Sequence, residues 1–257
     1  MCLVLFAYQA NPRQTLVVAA NRDELYARDA AAAHYWETEP ALLAGRDLSA
    51  GGTWLGVSAT GRFATVTNFA EAAAPVAPLS RGALTRDFLL SEASCHDYVQ
   101  SIDPPAYRGF NLLLWDGETL VCTSNTGQTQ TLSPGIYGLT NAEFGARWPK
   151  VLRGTAALQQ CVASGAEVDE LLTLLNDDVT PPDHELPQRG RPLEIERQLA
   201  SCFIRGEEYG TRASTAVVLS KTAVEFAEQG YGPRGQPGAR RNYCFSVSAA
   251  QADPATP

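Results

Sequence analysis

Apolar residues fall along this chain in two rhythms. Over the first 70 residues they come as short β-rich runs. LVLFAY (3–8) and TLVVAAN (15–21) flank QANPRQ, whose Asn11-Pro12 marks a turn. A second hairpin reads TWLGVS (53–58), then ATGR, then FATVTN (63–68). From 80 to 93 the spacing turns helical, with Leu84, Phe88 and Leu89 behind Ser80 as N-cap. FNLLLWDGETLVCTS (110–124) returns to paired strands joined through Asp116-Gly117, a strong hairpin signal, and GIYGLTN (135–141) adds a short strand. Helices are predicted from about Trp148 to Ala163, over 168–177 and over 193–204, with Pro-rich 180–192 as an exposed loop. Strands follow at 211–220, 223–229 and 242–249. A Gly/Pro/Arg-rich loop is expected over 230–241 and a disordered tail over 250–257.

The order is therefore strands, helices, then strands again. No repeat is evident and no linker of different composition interrupts the chain, so residues 1–249 are read as one domain. Val, Leu and Ala occupy both alternating faces of the strands, which suggests sheets covered on both sides. Two sheets packed together with helices outside satisfy that pattern.

Composition narrows the function classes. A chain of 257 residues can bury a sizeable core without disulfide or metal staples. The net charge of −8, with no Lys/Arg cluster, argues against a nucleic-acid partner, which needs a basic face. No apolar run approaches the ~18 residues of a membrane span. The run Cys2 to Ala7 is shorter than the ~7–15 residues of a secretory h-region, and no basic segment precedes it. A cytoplasmic protein is expected. Cysteines at 2, 95, 122, 161, 202 and 244 form no CxxC pair, and His34, His96 and His184 form no spaced ligand pair, so no metal site is expected. Five of the cysteines read as core residues. Cys2 is the exception.

Cys2 is either a small hydrophobe opening a buried strand or, once Met1 is removed, residue one. In the second case its thiol and the free chain amine share one carbon. A thiol with pKa ~8.5 and an α-amine at ~7.7–8.0 are both partly reactive near neutral pH. The amine would then be a built-in base and the sulfur a nucleophile. A turn centred between Asn11 and Pro12 sets the sum of paired positions near 23 (11 + 12), which places Asn21 opposite Cys2. Asn21 and Asp23 would then share its face and Arg22 would point away, an assignment that a one-residue slip reverses. Asp23 could hold the amine, Arg22 could stabilise charge on sulfur, and Asn68 could donate to an oxyanion. In the second hairpin a sum near 120 lays Gly52 across from Asn68 (52 + 68), so GGTW meets TNF.

Behind the initial Met-Cys stand NRDE (21–24), GGTWLGVS (51–58), TNF (67–69), SRG (80–82), GLTNA (138–142) and YGTRASTAVVL (209–219). With these motifs in order, the chain resembles the NRDE family, the family of transport and Golgi organisation protein 2. That family in turn resembles the N-terminal nucleophile (Ntn) hydrolases, nearest the choloylglycine hydrolase and penicillin V acylase branch. The resemblance implies an α+β fold, a four-layer αββα sandwich with two mostly antiparallel sheets between helical layers. In that branch a processed N-terminal Cys is the nucleophile. An Arg and an Asp near the end of the second strand support it, and two Asn and a later Arg complete the site. Carried over by motif, Cys2 takes the nucleophile's place, Asn68 in VTNF the first Asn, Asn141 in LTNA the second, and Arg212 in GTRAST the late Arg. The Arg and Asp of the branch are separated by two residues, whereas Arg22 and Asp23 are adjacent. Adjacent strand residues point to opposite faces, so both can serve only if a bulge turns one. Members of the family are also associated with haem trafficking and lipid metabolism.

Each candidate has a plain alternative. Asn21, Arg22 and Asp23 could cap a hairpin, and Asn68 and Asn141 could satisfy turns. Thr53, Trp54 and Phe69 are candidate substrate-binding residues, though Trp in a hairpin is commonly core. Arg212 could be a structural ion pair, and Arg81-Gly82 a helix start or an anion site. The leading expectation is a cysteine amidohydrolase acting on a linear amide or related acyl bond, with no cofactor. The competing one is a non-catalytic carrier that holds haem or an acyl lipid in the same cleft.

Overall fold

In the computed structural model, which describes residues 2–69, 77–125 and 128–247, the chain builds two antiparallel sheets. The first contains β1 (Cys2–Asn11), β2 (Gln14–Leu25), β10 (Gly135–Leu139), β11 (Tyr209–Leu219), β12 (Ala223–Gly232) and β13 (Gln236–Ser246), in the order β10-β1-β2-β11-β12-β13. The second runs in chain order through β3 (Ala30–Tyr35), β4 (Leu42–Asp47), β5 (Leu55–Ser58), β6 (Phe63–Asn68), β7 (Phe110–Trp115), β8 (Leu120–Ser124) and β9 (Gln130–Thr131). Helices α1 (Arg81–Leu90) and α2 (Cys95–Ser101) cover the second sheet, and α3 (Pro149–Ser164) and α4 (Val168–Leu174) cover the first. A short α5 (Leu193–Gln198) precedes β11. This is the expected αββα sandwich.

Strand alternation builds the layers. Val4, Phe6 and Tyr8 of β1 join Val18 and Ala20 of β2 in a core shared with Phe63, Leu113 and Trp115 of the facing sheet. Leu3, Leu5, Ala7, Val17 and Ala19 point the other way, onto Val151, Leu158 and Leu171 of α3 and α4. On the far side Ala64, Leu112 and Leu114 pack on Leu84, Phe88 and Leu89 of α1. Even positions of β1 thus look between the sheets, and Cys2 is one of them.

The first hairpin differs from the sequence expectation by one residue. Its turn is centred on Pro12-Arg13, because Asn11 Oδ1 accepts from the Arg13 N–H at 2.9 Å and closes an Asx turn. Pairing is Asn11↔Gln14 at the turn and Tyr8↔Leu16 beyond an irregularity at Gln9, whose φ is +46°. The result is Cys2↔Arg22 and Leu3↔Asn21. Arg22, not Asn21 or Asp23, shares the face of Cys2. The second hairpin keeps the expected sum of 120, with Leu55↔Thr65 and Val57↔Phe63.

Three other segments differ. The helix expected over 193–204 ends at Gln198, and the carbonyls of Leu199 and Ser201 accept instead from Lys150 Nζ at 3.1 and 3.4 Å. Much of the loop expected over 230–241 is the start of edge strand β13, where Pro237, Arg240 and Arg241 suit a strand that must not pair further. Strands β3 and β4 and helix α2 had no clear signal in the pattern. The tail at 250–257 lies outside the described residues. Among the described residues no helix is long and apolar enough to cross a membrane.

Candidate active site

Cys2 opens β1 half-buried at the rim between the two sheets. Arg22 lies directly across from it and is almost fully buried, an expensive place for a guanidinium. Its plane rests over the Trp54 ring at 4.3 Å, and one terminal nitrogen lies 3.4 Å from Asp47 Oδ2. Burial lowers the pKa of Arg22, while the negative charges of Cys2, Glu24 and Asp47 hold it up. Asp47 also accepts from Arg28 Nε at 2.7 Å and from the N–H groups of Ser49 and Ala50. Burial pushes the Asp47 carboxyl up, but these bonds and the two guanidiniums outweigh it and hold it below the usual carboxylate range. Trp54 can reach Arg22 because position 45 is glycine. A Cβ there would come within 2.3 Å of the indole.

Two asparagines meet on the other side of Cys2. The Cys2 backbone nitrogen donates to Asn141 Oδ1 at 2.7 Å, and Asn141 Nδ2 donates to the Asn68 carbonyl at 2.7 Å. Asn141 therefore ties the chain start to the end of β6 in the facing sheet. Thr140 Oγ1 donates to the Cys2 carbonyl at 3.2 Å, and Thr67 Oγ1 donates to the Thr140 carbonyl at 2.8 Å. Behind them Asn111 Nδ2 reaches the carbonyls of Thr140 and Ala142 at 3.1 and 2.8 Å. Asn111, which fastens the Thr140 and Ala142 backbone behind Cys2, was not anticipated. A lone amide within the apolar run FNLLLW was the available signal. The Asn68 side chain is exposed and opens onto the cleft.

Asn21 and Asp23 lie on the opposite face of β2 from Arg22 and Cys2, whereas Glu24 shares the Arg22 side and lines the Cys2 cleft. Asn21 is fully buried toward the helical layer, where Nδ2 donates to the carbonyls of Leu175 and Cys202 at 3.0 and 2.9 Å. Ser214 Oγ donates to Asn21 Oδ1 at 2.6 Å. Asn21 therefore fastens helix α4 to the sheet and is not in contact with Cys2. Asp23 is also buried. Thr211 Oγ1 donates to its Oδ1 at 2.7 Å, and burial raises its pKa while Lys150 and Thr211 act to lower it. Lys150, from the first turn of α3, is itself buried, and its pKa is lowered by burial against the charges of Asp23, Cys202 and Cys2. Asp23 still borders the cleft from below.

A bulge does occur here, but on the neighbouring strand. Register in β11 shifts between Thr211↔Asp23 and Ala213↔Arg22, so Arg212 has no partner across the ladder. Arg212 turns outward and donates to the carbonyls of Leu25 and Arg28, bracing the turn after β2. It lines a neighbouring cavity with Glu228 that shares Arg22 and Trp54 with the Cys2 cleft but does not include Cys2. Thr53 is buried, with Oγ1 donating to the Leu55 carbonyl at 2.9 Å. Gly52 packs on the start of α1, where a Cβ would fall 2.5 Å from the Gly82 carbonyl, and this brings Ser80 and Arg81 to the rim.

The cleft around Cys2 holds about 120 Å³, and it adjoins a larger one of about 490 Å³ that shares Asn68 and Arg81 and includes Phe69 and Asn141. The structure thus brings Cys2, Arg22, Trp54, Asn68 and Asn141 together. Asp23 sits beneath them, and Asn21 and Arg212 stand apart. Among the described residues no group of three or more His, Cys, Asp or Glu is placed to hold a metal ion.

Comparison with known proteins bears on the family and the fold. The family model for Transport and Golgi organisation 2 matches residues 1–233. The chain belongs to that family. A Bos taurus homologue of transport and Golgi organization protein 2 is 32% identical over 255 residues, covering 89% of this chain and 92% of the relative. The Homo sapiens homologue is 30% identical over 257 residues with the same coverage. The Drosophila melanogaster protein is 25% identical over 269 residues, covering 92% and 95%. None of these names states an activity. Among solved structures, the Caenorhabditis elegans orthologue of N-acylethanolamine-hydrolyzing acid amidase is similar, with a TM-score of 0.51 at 11% identity over 84% of this chain and 92% of that one. A mutant conjugated bile acid hydrolase from Clostridium perfringens gives a TM-score of 0.50 at 11% identity, covering 96% and 92%. At that identity the likeness establishes the fold, an Ntn-hydrolase sandwich.

Proposed function

We propose that this member of the Transport and Golgi organisation 2 family is a cysteine amidohydrolase acting on a linear amide or related acyl bond, with Cys2 as nucleophile after removal of Met1. The reading is supported chiefly by the contact of the Cys2 nitrogen with Asn141 Oδ1 at 2.7 Å, in an open cleft with Arg22 opposite the sulfur. That nitrogen is a peptide N–H while Met1 is attached; as a free amine keeping the same acceptor it would have its lone pair aimed, which is what a built-in base needs.

In the proposed reaction the amine takes the thiol proton as sulfur bonds to the carbonyl carbon, and the carbonyl oxygen gains the negative charge. The Asn68 amide and the second Nδ2 hydrogen of Asn141 are its donors. Collapse breaks the C–N bond, and the leaving nitrogen receives the proton held by the Cys2 ammonium. Water, deprotonated by the same amine, then attacks the thioester and releases the acid and the thiol. Arg22 stabilises charge on sulfur, and Asp23 with Lys150 forms a buried support beneath the amine.

The test is intact-protein mass spectrometry of untagged protein exposed to a limiting thiol electrophile at neutral pH, with Cys2→Ala alongside. Loss of Met1 and one adduct that vanishes in the mutant are expected. Retained Met1, or label spread over several cysteines, rules the reading out.

The second reading, a carrier without turnover, is favoured by the transport role in the relatives' names. It would place haem or an acyl lipid in the same pair of clefts. Among the described residues their lining holds no histidine, which leaves the Cys2 sulfur as the haem ligand. A haem absorbance band that Cys2→Ala abolishes, with no amide turnover, would select it.

A further inference from the structure

The larger cleft beside Cys2 is unlike the rest of the molecule in charge. The chain carries 28 acidic and 20 basic residues, yet among the described residues this cleft is lined by three arginines, Arg81, Arg108 and Arg191, and by no carboxylate. They come from separate parts of the sequence: the first residue of α1, the segment before β7, and the loop before α5. Arg81 is fixed, with one terminal nitrogen donating to the Gly109 carbonyl at 3.0 Å, next in sequence to Arg108. Arg108 and Arg191 enter no ion pair among the described residues, although nine other arginines of the chain do. Gathering like charges into one concavity is unfavourable by itself and becomes favourable when an anion occupies it.

The same cleft has an apolar wall. Phe69, Ile195, Leu199 and Tyr209 line it, and Ile195 is left 40% exposed on α5. Its volume of about 490 Å³ falls within the range of small-molecule sites. It opens into the Cys2 cleft across Asn68 and Arg81, which border both. A molecule reaching from one to the other would place an amide near Cys2 and Asn141, a short apolar body on the wall, and a terminal group among the guanidiniums.

We infer that the ligand is a linear acyl amide ending in an oxyanion, carboxylate or phosphate, which Arg81, Arg108 and Arg191 bind in the larger cleft. The inference rests on the amidohydrolase reading only for which bond is cleaved. The binding claim stands without turnover. Guanidinium forks recognise both oxyanions by paired N–H bonds, so charge and not shape is the first filter.

The test is calorimetric titration of untagged Cys2→Ala, which cannot turn over, with two matched pairs. N-octanoylglycine is compared with N-octanoylglycinamide, and N-octanoyl-O-phosphoethanolamine with N-octanoylethanolamine. At least one anionic probe should bind about tenfold more tightly than its neutral twin, and the preferred pair identifies the head group. In the Arg108→Ala/Arg191→Ala background the preference should fall below about twofold, and in the parent it should narrow as salt screens the charges. Both substitutions are at exposed positions, so an unchanged melting temperature shows that the fold is intact. Equal affinity within both pairs, a preference that survives the double substitution, or no saturable binding of any probe overturns the inference. Wild-type protein that hydrolyses none of the four amides, while Cys2→Ala keeps the anion preference, overturns the amidohydrolase reading and leaves this one standing.

Discussion

On the inter-sheet face of β2, Arg22 lies over Trp54 and opens to a cleft that holds the Cys2 sulfur. One residue away on either side, Asn21 is sealed against the helical layer and Asp23 is buried toward it while bordering the cleft from below. Their bonded partners are backbone carbonyls and hydroxyls, with the charge of buried Lys150 acting on Asp23. One four-residue motif therefore supplies two environments, because strand geometry sends neighbours to opposite faces. The cleft side places a cation near the Cys2 thiol. The helix side fixes the strand that carries it. Adjacency of Arg22 and Asp23, which looked like an obstacle to a shared site, separates direct contact with the sulfur from support of the scaffold.

Substitutions can break this division, starting with the side expected to cost most stability. Lys150→Met strands the buried Leu199 and Ser201 carbonyls, at about 1–3 kcal/mol each, and removes the cation whose charge acts on buried Asp23. The sign with pH follows from Asp23, whose pKa burial already raises. Below that pKa the carboxyl is neutral and only the loss at the two carbonyls remains. As pH rises through it the uncompensated charge appears and the loss grows, which urea titrations at several pH values will show. Asn21→Ala strands two buried carbonyls and the Ser214 hydroxyl, for about 1–3 kcal/mol. Its Cys2 alkylation rate should be unchanged in whatever fraction stays folded.

Arg22→Gln tests the other face. Removing the cation opposite the sulfur should slow alkylation of Cys2 by about tenfold, the effect of roughly 1.4 kcal/mol on a barrier. Equal alkylation rates in the Arg22→Gln and parent proteins would collapse the distinction between the two faces. The smallest effect is expected for Asp47→Asn, because the pair is partly exposed and solvent screens it. Asp47 has a folded pKa below its unfolded value, so its contribution is complete above the ordinary Asp value of about 3.9. It disappears as pH falls from there through the lowered value. Wild type and Asp47→Asn should therefore differ in stability at pH 7 and converge in acid.

The layered fold was legible because buried strands with apolar residues on both faces admit few other arrangements. Motif order carried the family, and with it Cys2, Asn68 and Asn141. The orientation of the NRDE segment was not legible, since it depends on one extra residue at Gln9 and on an Asx turn at Asn11. Arg212 was misplaced for a related reason. The bulge that turns it outward lies on β11, opposite the motif, where no local signal marks it. Lys150 was invisible as a polar residue on a helix. Only the fold shows that its amine replaces the last hydrogen bonds of a helix that ends early at Gln198.

The central claim is that the chain start is a working nucleophile, and one measurement addresses it directly. Untagged protein is incubated with N-octanoyl p-nitroanilide, quenched in acid and digested, and the N-terminal peptide is weighed. A peptide that begins at Cys2 and carries one octanoyl group, absent from Cys2→Ala, is expected. An N-terminal peptide that begins at Met1 with an unmodified sulfur, while the anilide stays intact, would contradict it.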